Sequence, residues 1–403
     1  MLGYFIAIPT YWSRPGSAGP EEVVYDHPTP LDSPGTLRRT LESLAPLVSA
    51  GVQVGVVAAA ASKDLGKAVE SRVRELIHTP PLPFPVAFFS TSHLRALQEF
   101  VGQHGQPEWT PLLSLCGYAQ IRNLTLILAN ICAAEVLVSL DDDEIIIDPE
   151  FLARIERDFA LLSRGYDSFG LAGIYRDAQG GVRLPEPQAP WAGYWPKIRW
   201  LNEAFTQLLA APRLPATPLA LGGNLALSSG VYRRVPFDPA IPRGEDVDYV
   251  FNARLLNIPF FLDQELSITH LPPEKPHPLW LKLRQDLLRF AYARQKLRQQ
   301  EPRPGLARVT AEDLRPYPGH FLGDDLEMRA YQSHTQLAMD YLGEGDSQGA
   351  RQTLENLILL EQIIHSGKNV FREYLHTVAQ WQALQNWLAE PTVAAQAKEA
   401  IWG

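Results

Sequence analysis

Glu135-Val136-Leu137-Val138-Ser139-Leu140-Asp141-Asp142-Asp143-Glu144 runs a short apolar segment straight into four consecutive carboxylates. Its first six residues read as a buried strand, because an uninterrupted apolar run has both faces covered, as in a parallel α/β sheet. Ligands of open α/β sheets collect beyond the carboxyl ends of the strands, which is where the acids stand. Carboxylates crowded together raise one another's pKa and destabilise the fold unless a cation resides among them. A hard divalent ion that keeps positions open for phosphate, Mg2+ or Mn2+, resolves the conflict. A triple Asp in isolation also reads as a solvated acidic loop, and the strand before it weighs against that account.

The pattern spreads outward in both directions. Upstream, Tyr4 to Pro9 is a short apolar run, Gly35 to Ala50 carries leucines at helical spacing, Val52 to Ala59 is a buried strand and Leu65 to Ile77 is amphipathic. Val86 to Ser90 follows as a strand and Gln120 to Ala133 as a helix; behind the acids comes a helix over 149–163. This alternation predicts an α/β domain over 1–276. From 277 to 403 the strand signal stops, and helices are expected over 279–300, 325–342, 347–366 and 369–388. That C-terminal helical extension is expected to pack on the first domain, with a homodimer interface or a docked partner as alternatives.

Composition narrows the function classes. The 403 residues are 46% hydrophobic and 20% charged, an ordinary globular balance. With 45 acidic against 36 basic residues and a formal net charge of -9, a general nucleic-acid or anionic-membrane surface is not expected. No window approaches the roughly 20 apolar residues of a spanning helix, and the first residues read as a strand without a basic leader. Two cysteines, Cys116 and Cys132, are too few for a disulfide framework, so a cytoplasmic location with free thiols is expected. The 34 prolines, clustered around 80–85, 185–196, 212–218 and 302–318, mark loops.

Three further stretches carry chemistry. Arg243-Gly244-Glu245-Asp246-Val247-Asp248 puts two acids after a glycine at a helix start, where dipole and free N–H groups stabilise carboxylate. His270, in Ile268-Thr269-His270-Leu271-Pro272-Pro273, ends a strand; a lone histidine is more often structural than a ligand. Leu221-Gly222-Gly223-Asn224 permits close backbone approach to a ligand, or simply makes a turn. Asp26-His27-Pro28 and His277 show no metal spacing and read as structural.

The order of these motifs resembles the GT-A glycosyltransferases, especially the inverting family-2-like enzymes. Ile8-Pro9-Thr10-Tyr11 is similar to the first-strand motif leading into the nucleotide pocket, and Gly117 through Arg122-Asn123 to a helix-start motif. Asp141-Asp142-Asp143, with Asp148-Pro149 behind it, stands in the place of the DxD motif; Gly222-Gly223-Asn224, Gly244-Glu245-Asp246 and His270 match the later GGN, GED and metal-histidine positions. The resemblance covers residues 4 to 276 and implies a Rossmann-like nucleotide-diphospho-sugar transferase domain.

What it implies for the site follows residue by residue. Asp143 and His270 would hold Mn2+ or Mg2+, with Asp141 on the ribose or on the metal through water. An extra isoleucine before Asp148 leaves room for a slipped register in which Asp142 and Glu144 are the pair. The ion would neutralise charge on the departing pyrophosphate of a UDP- or GDP-sugar. An acceptor hydroxyl needs a base within hydrogen-bond reach, Asp246 first and Glu245 second. Pro9, Thr10, Tyr11 and Ser92 are expected on the nucleotide wall, and Arg122 on phosphate or behind the acidic loop. Trp195, in a proline-bounded stretch before Gly222, Gly223 and Asn224, is expected either to stack on an acceptor sugar or to pack in the core. The acceptor would be a small molecule or saccharide. Retaining transfer, nucleotidyl transfer and a non-catalytic scaffold are the alternatives; nucleotidyl transfer lacks its glycine-rich first loop, because Pro9-Thr10-Tyr11-Trp12 does not cradle phosphate.

Overall fold

Residues 2–16, 23–273 and 277–403 are described by the structure, a computed structural model. The expected domain boundary at residue 276 lies outside them. Among the described residues, nine strands form one mixed sheet: β1 (Tyr4–Ser13), β2 (Thr29–Pro30), β3 (Val52–Ala60), β4 (Val86–Phe89), β5 (Val136–Ser139), β6 (Glu144–Ile145), β7 (Gly170–Arg176), β8 (Leu225–Ser228) and β9 (Phe260–His270). Their spatial order is β4-β3-β1-β5-β8-β7-β9-β6, with β2 added to the end of β1. The strands β1 to β5 pair in parallel, β8 runs antiparallel between β5 and β7, and β6 is antiparallel to the end of β9.

Strand alternation sorts the core into two faces. Along β1, Phe5 and Ala7 face one cluster while Tyr4, Ile6 and Ile8 face the other. The second face is covered by the helices Leu37–Ser43, Gly66–His78 and Phe151–Leu162. The first is covered by Tyr118–Ile131, which is buried along almost its whole length. A helix buried all round needs cover on its far side too, and the extension supplies it.

The extension comprises Leu279–Arg298, Leu326–Gly343, Ser347–Ile364, Val370–Leu388 and a further helix, Pro391–Trp402, that the sequence reading did not anticipate. Asp346 and Asn369 cap two of these by accepting the N–H groups of Gly349 and Arg372. The core of the first face continues without a break from Phe5 to Ile401. Polar contacts cross the same seam: Asn130 Nδ2 donates to the Gln385 carbonyl at 2.7 Å, Tyr374 OH to Pro236 O at 3.1 Å, and Trp381 Nε1 to Tyr232 O at 3.0 Å. The chain is thus an α/β domain with a C-terminal helical extension, and the extension forms a third layer of the same core. Among the described residues, no helix is long and apolar enough to cross a membrane.

Candidate active site

The acidic run begins where β5 leaves the sheet, with the Leu140 N–H on the Ala7 carbonyl at 3.1 Å. Beyond it the four carboxylates point to different partners. Asp141 Oδ1 accepts from Arg122 Nη2 at 2.6 Å. Asp142 turns back under β1, where Thr10 Oγ1 donates to it at 2.5 Å and Thr40 Oγ1 holds its carbonyl at 2.8 Å. Burial, and then the charge of Asp143, push the Asp142 carboxyl up to about 7. Asp143 Oδ2 lies 2.6 Å from His27 Nε2 and 3.3 Å from His270 Nε2. Burial would raise its carboxyl, but the two imidazoles outweigh burial and hold it well below the ordinary range. Glu144 enters β6 opposite His270, fully buried, and accepts the Asp141 N–H at 2.7 Å. Burial and its acidic neighbours lift Glu144 far above the ordinary range, which favours its protonated form.

The antiparallel pairing of Glu144 with His270 sets this register, because it lays the ends of two distant strands side by side. Asp143, His27 and His270 offer ligand atoms that all lie within 4.8 Å of one another. One carboxylate and two imidazoles form a donor set suited to a divalent ion. His27, which the sequence offered as structural and without metal spacing, meets the same carboxylate oxygen as His270. No spacing rule links residue 27 to 143 and 270; the parallel pairing of Trp12 with Thr29 carries it to the end of β1.

Arg122 ties this cluster to the helix Glu245–Leu255. Its guanidinium donates to Ser139 Oγ at 2.7 Å, to Asp141 and to Glu245 Oε1 at 3.3 Å. Burial, followed by the charge of Asp246, moves the Glu245 carboxyl up to about 7. Asp246 Oδ2 accepts the Gly222 N–H at 3.0 Å and Oδ1 the Val247 N–H at 2.8 Å. Gly244 opens the helix with φ of 70°, and a Cβ there would meet Arg289 Nη1 at 1.7 Å. Glycine is therefore required on both conformational and packing grounds.

These groups line one cavity of about 310 Å³. Tyr11, Arg122, Asp141, Asp142, Asp143, Gly222, Glu245, Asp246 and His270 all border it, as does His27. The extension contributes Arg289 and Tyr317 to the same wall. Lys197 and Arg243 also border it; Lys197 pairs with Asp286 at 2.7 Å and Arg243 with Asp26 at 2.6 Å.

Other expected site residues lie elsewhere. Pro9 is buried in β1, and Thr10, beside it, acts through Asp142. Ser92 is outside the cavity lining: its hydroxyl bonds Glu70 at 2.8 Å in the first turn of the helix Thr91–His104. Trp195 is buried, its ring 4.6 Å from that of Phe321, and it does not line the cavity; the core-packing account fits its surroundings. Asn224 is buried as well, and its amide donates to the Ile174 and Leu266 carbonyls at 3.2 Å, where β7 and β9 shift register. It is a clamp between strands. Gly223 backs onto Glu144, so of that turn Leu221 and Gly222 border the cavity while Gly223 and Asn224 do not.

No family model and no curated protein matches the chain. Solved structures do. The mannosyltransferase PcManGT from Pyrobaculum calidifontis, in complex with GDP-Man and Mn2+, is 14% identical over 100% of this chain and 87% of its own, with a TM-score of 0.44. S. aureus TarS is 13% identical over 91% and 92%, with a TM-score of 0.44. Glucosyl-3-phosphoglycerate synthase from Mycobacterium tuberculosis, in complex with phosphoglyceric acid, is 16% identical over 72% and 79%, with a TM-score of 0.38.

Proposed function

We propose that the chain is a GT-A glycosyltransferase that moves a sugar from a nucleoside-diphosphate sugar to a hydroxyl acceptor with inversion, using Mn2+ or Mg2+. The observation that carries this is the convergence of Asp141, Asp143 and His270 on one cavity with Asp246 and Glu245. Asp143 and His270 fit a divalent cation in donor type and spacing, and a bound cation would supply charge neutralisation for the leaving diphosphate.

The remaining steps belong to the chain's own groups. Arg122 holds Asp141 toward the cavity and fixes Glu245 behind it. Tyr11, on β1, lines the donor side of the cleft. Asp246 takes the acceptor proton: its two backbone N–H bonds leave lone pairs for a hydroxyl, since a carboxylate accepts about four hydrogen bonds. Glu245, engaged with Arg122, orients the helix rather than reaching the acceptor. One base and one displacement invert the anomeric centre.

Two measurements test this. A panel of UDP- and GDP-sugars with Mn2+ should include one that raises stability by about 2.7 kcal/mol at 100 times its dissociation constant. With that donor, Asp246→Asn should keep Mn2+-dependent donor binding and lose transfer, and the wild-type product should have the opposite anomeric configuration. A silent panel would remove the sugar-nucleotide reading, and normal turnover by Asp246→Asn would remove the base.

A further inference from the structure

We infer that His27 is a third protein ligand of the cation, completing with Asp143 and His270 a two-imidazole, one-carboxylate set that selects Mn2+, Co2+ or Zn2+ over Mg2+. The inference rests on the proposed function only for the presence of a cation; it does not need the sugar nucleotide.

The geometry carries it. Asp143 Oδ2 stands 2.6 Å from His27 Nε2 and 3.3 Å from His270 Nε2. Ligand atoms bonded to one ion at about 2.1 Å sit about 3 Å apart when they subtend a right angle. Three donors on three separate segments therefore bracket one point. A single hydrogen bond would need one imidazole, whereas here two converge on the same carboxylate oxygen.

His27 is also held in place as a ligand should be. The strand-free segment carrying it is fastened from several directions by groups outside it. The Asp26 N–H donates to Tyr118 OH at 2.6 Å, and Asp26 Oδ2 accepts from Arg243 Nη2 at 2.6 Å. From the extension, His277 Nε2 reaches the Tyr25 carbonyl at 2.6 Å and Gln285 Nε2 the Val24 carbonyl at 3.3 Å. These contacts fix the backbone that leads into His27 and so limit the directions its imidazole can take. On the far side, β2 pairing to the end of β1 prevents the segment from swinging away.

Donor chemistry then sets the preference. Mg2+ keeps oxygen ligands and water, while imidazole nitrogen suits the later divalent ions. A site with one carboxylate and two imidazoles should bind Mg2+ weakly in the absence of nucleotide and Mn2+ distinctly better.

The experiment uses the full chain with metal alone. Mn2+ binding is counted by the loss of the free-ion EPR signal, and the number of coordinated imidazole nitrogens is read by pulsed EPR. Wild type should show two nitrogens, and excess Mg2+ should fail to displace Mn2+. His27→Ala and His27→Gln, checked for native unfolding profiles, should show one nitrogen, bind Mn2+ about 10- to 100-fold more weakly and lose much of the preference over Mg2+. One nitrogen in the wild type, or equal binding of Mg2+ and Mn2+, overturns the inference even if sugar nucleotides bind. Two nitrogens with no sugar nucleotide bound would uphold it while removing the proposed function.

Discussion

Lys296→Met measures how firmly the extension is joined to the helix that carries Asp246. Lys296 lies in Leu279–Arg298 with no solvent exposure. Its Nζ is 2.6 Å from Asp238 Oδ2, 3.2 Å from Asp248 Oδ1 and 3.0 Å from Asn252 Oδ1, with the Tyr374 ring 4.4 Å away. Methionine keeps the volume and removes the charge, leaving two carboxylates buried without their cation. Breaking such a pair from one side costs about 3–5 kcal/mol, a large share of a total stability of about 5–15 kcal/mol. The sign of the pH dependence follows from Asp248. Burial already raises its carboxyl above the ordinary range, with Lys296 opposing; without that lysine it rises further and escapes the penalty by taking a proton. The deficit should therefore shrink as the pH falls. Urea unfolding of wild type and variant, followed by tryptophan fluorescence at pH 8 and pH 5.5, reads both effects. Adding Asp238→Asn and Asp248→Asn to the variant should recover most of the loss, because the buried charges are then gone. A deficit under about 1 kcal/mol, or one independent of pH, would refute the account of the joint.

Three more expectations follow from other parts of the molecule. Gly223→Ala places a Cβ 2.1 Å from Glu144 Oε2, so it should cost about 1–3 kcal/mol and, by moving Glu144 off the Asp141 N–H, reduce Mn2+-induced thermal stabilisation; an unchanged response would contradict that contact. Burial lowers His334 from 6.5 to about 4, so the fold favours its neutral form; the contribution is complete above about 6.5, is lost as the pH falls toward about 4, and amounts to about 3 kcal/mol at most. His334→Phe should flatten stability against pH across that window, and parallel curves for the two proteins would exclude the effect. Trp381→Ala removes a fully buried ring and its bond to the Tyr232 carbonyl, so calorimetry should show a loss of about 3–5 kcal/mol in a single transition; separate transitions for the α/β part and the extension would argue against one core.

Much of this architecture was readable in the sequence because its signals are local. The apolar run expected over 135–140 contains the strand Val136–Ser139, buried on both faces, and the leucine and alanine spacing of the extension fixes most of its helices. Pro391–Trp402 escaped because an alanine-rich segment with few large apolar residues shows weak periodicity. Motif order singled out Asp141, Asp142, Asp143 and His270, and all four border one cavity, while Glu144 is taken into the sheet at β6. His27 was invisible, since its proximity to Asp143 exists only after strands far apart in the chain have paired. Asn224 and Trp195 lie away from the cavity, in the structural alternatives that the sequence left open for them. A polar amide beside two glycines and a tryptophan beside prolines look like ligand contacts, yet one satisfies carbonyls left open by a register shift and the other fills the core.

The strand β4 closes the sheet on one side, with β3 as its neighbour. An outermost strand exposes backbone groups that can recruit a strand from another molecule. Here the last helix answers that hazard: Ile401 is buried, and Trp402 Nε1 donates to the Phe88 carbonyl at 2.8 Å. The indole thus acts as a stopper on an adhesive margin, and a chain shortened before Pro391 should show more sheet-to-sheet association than the full chain.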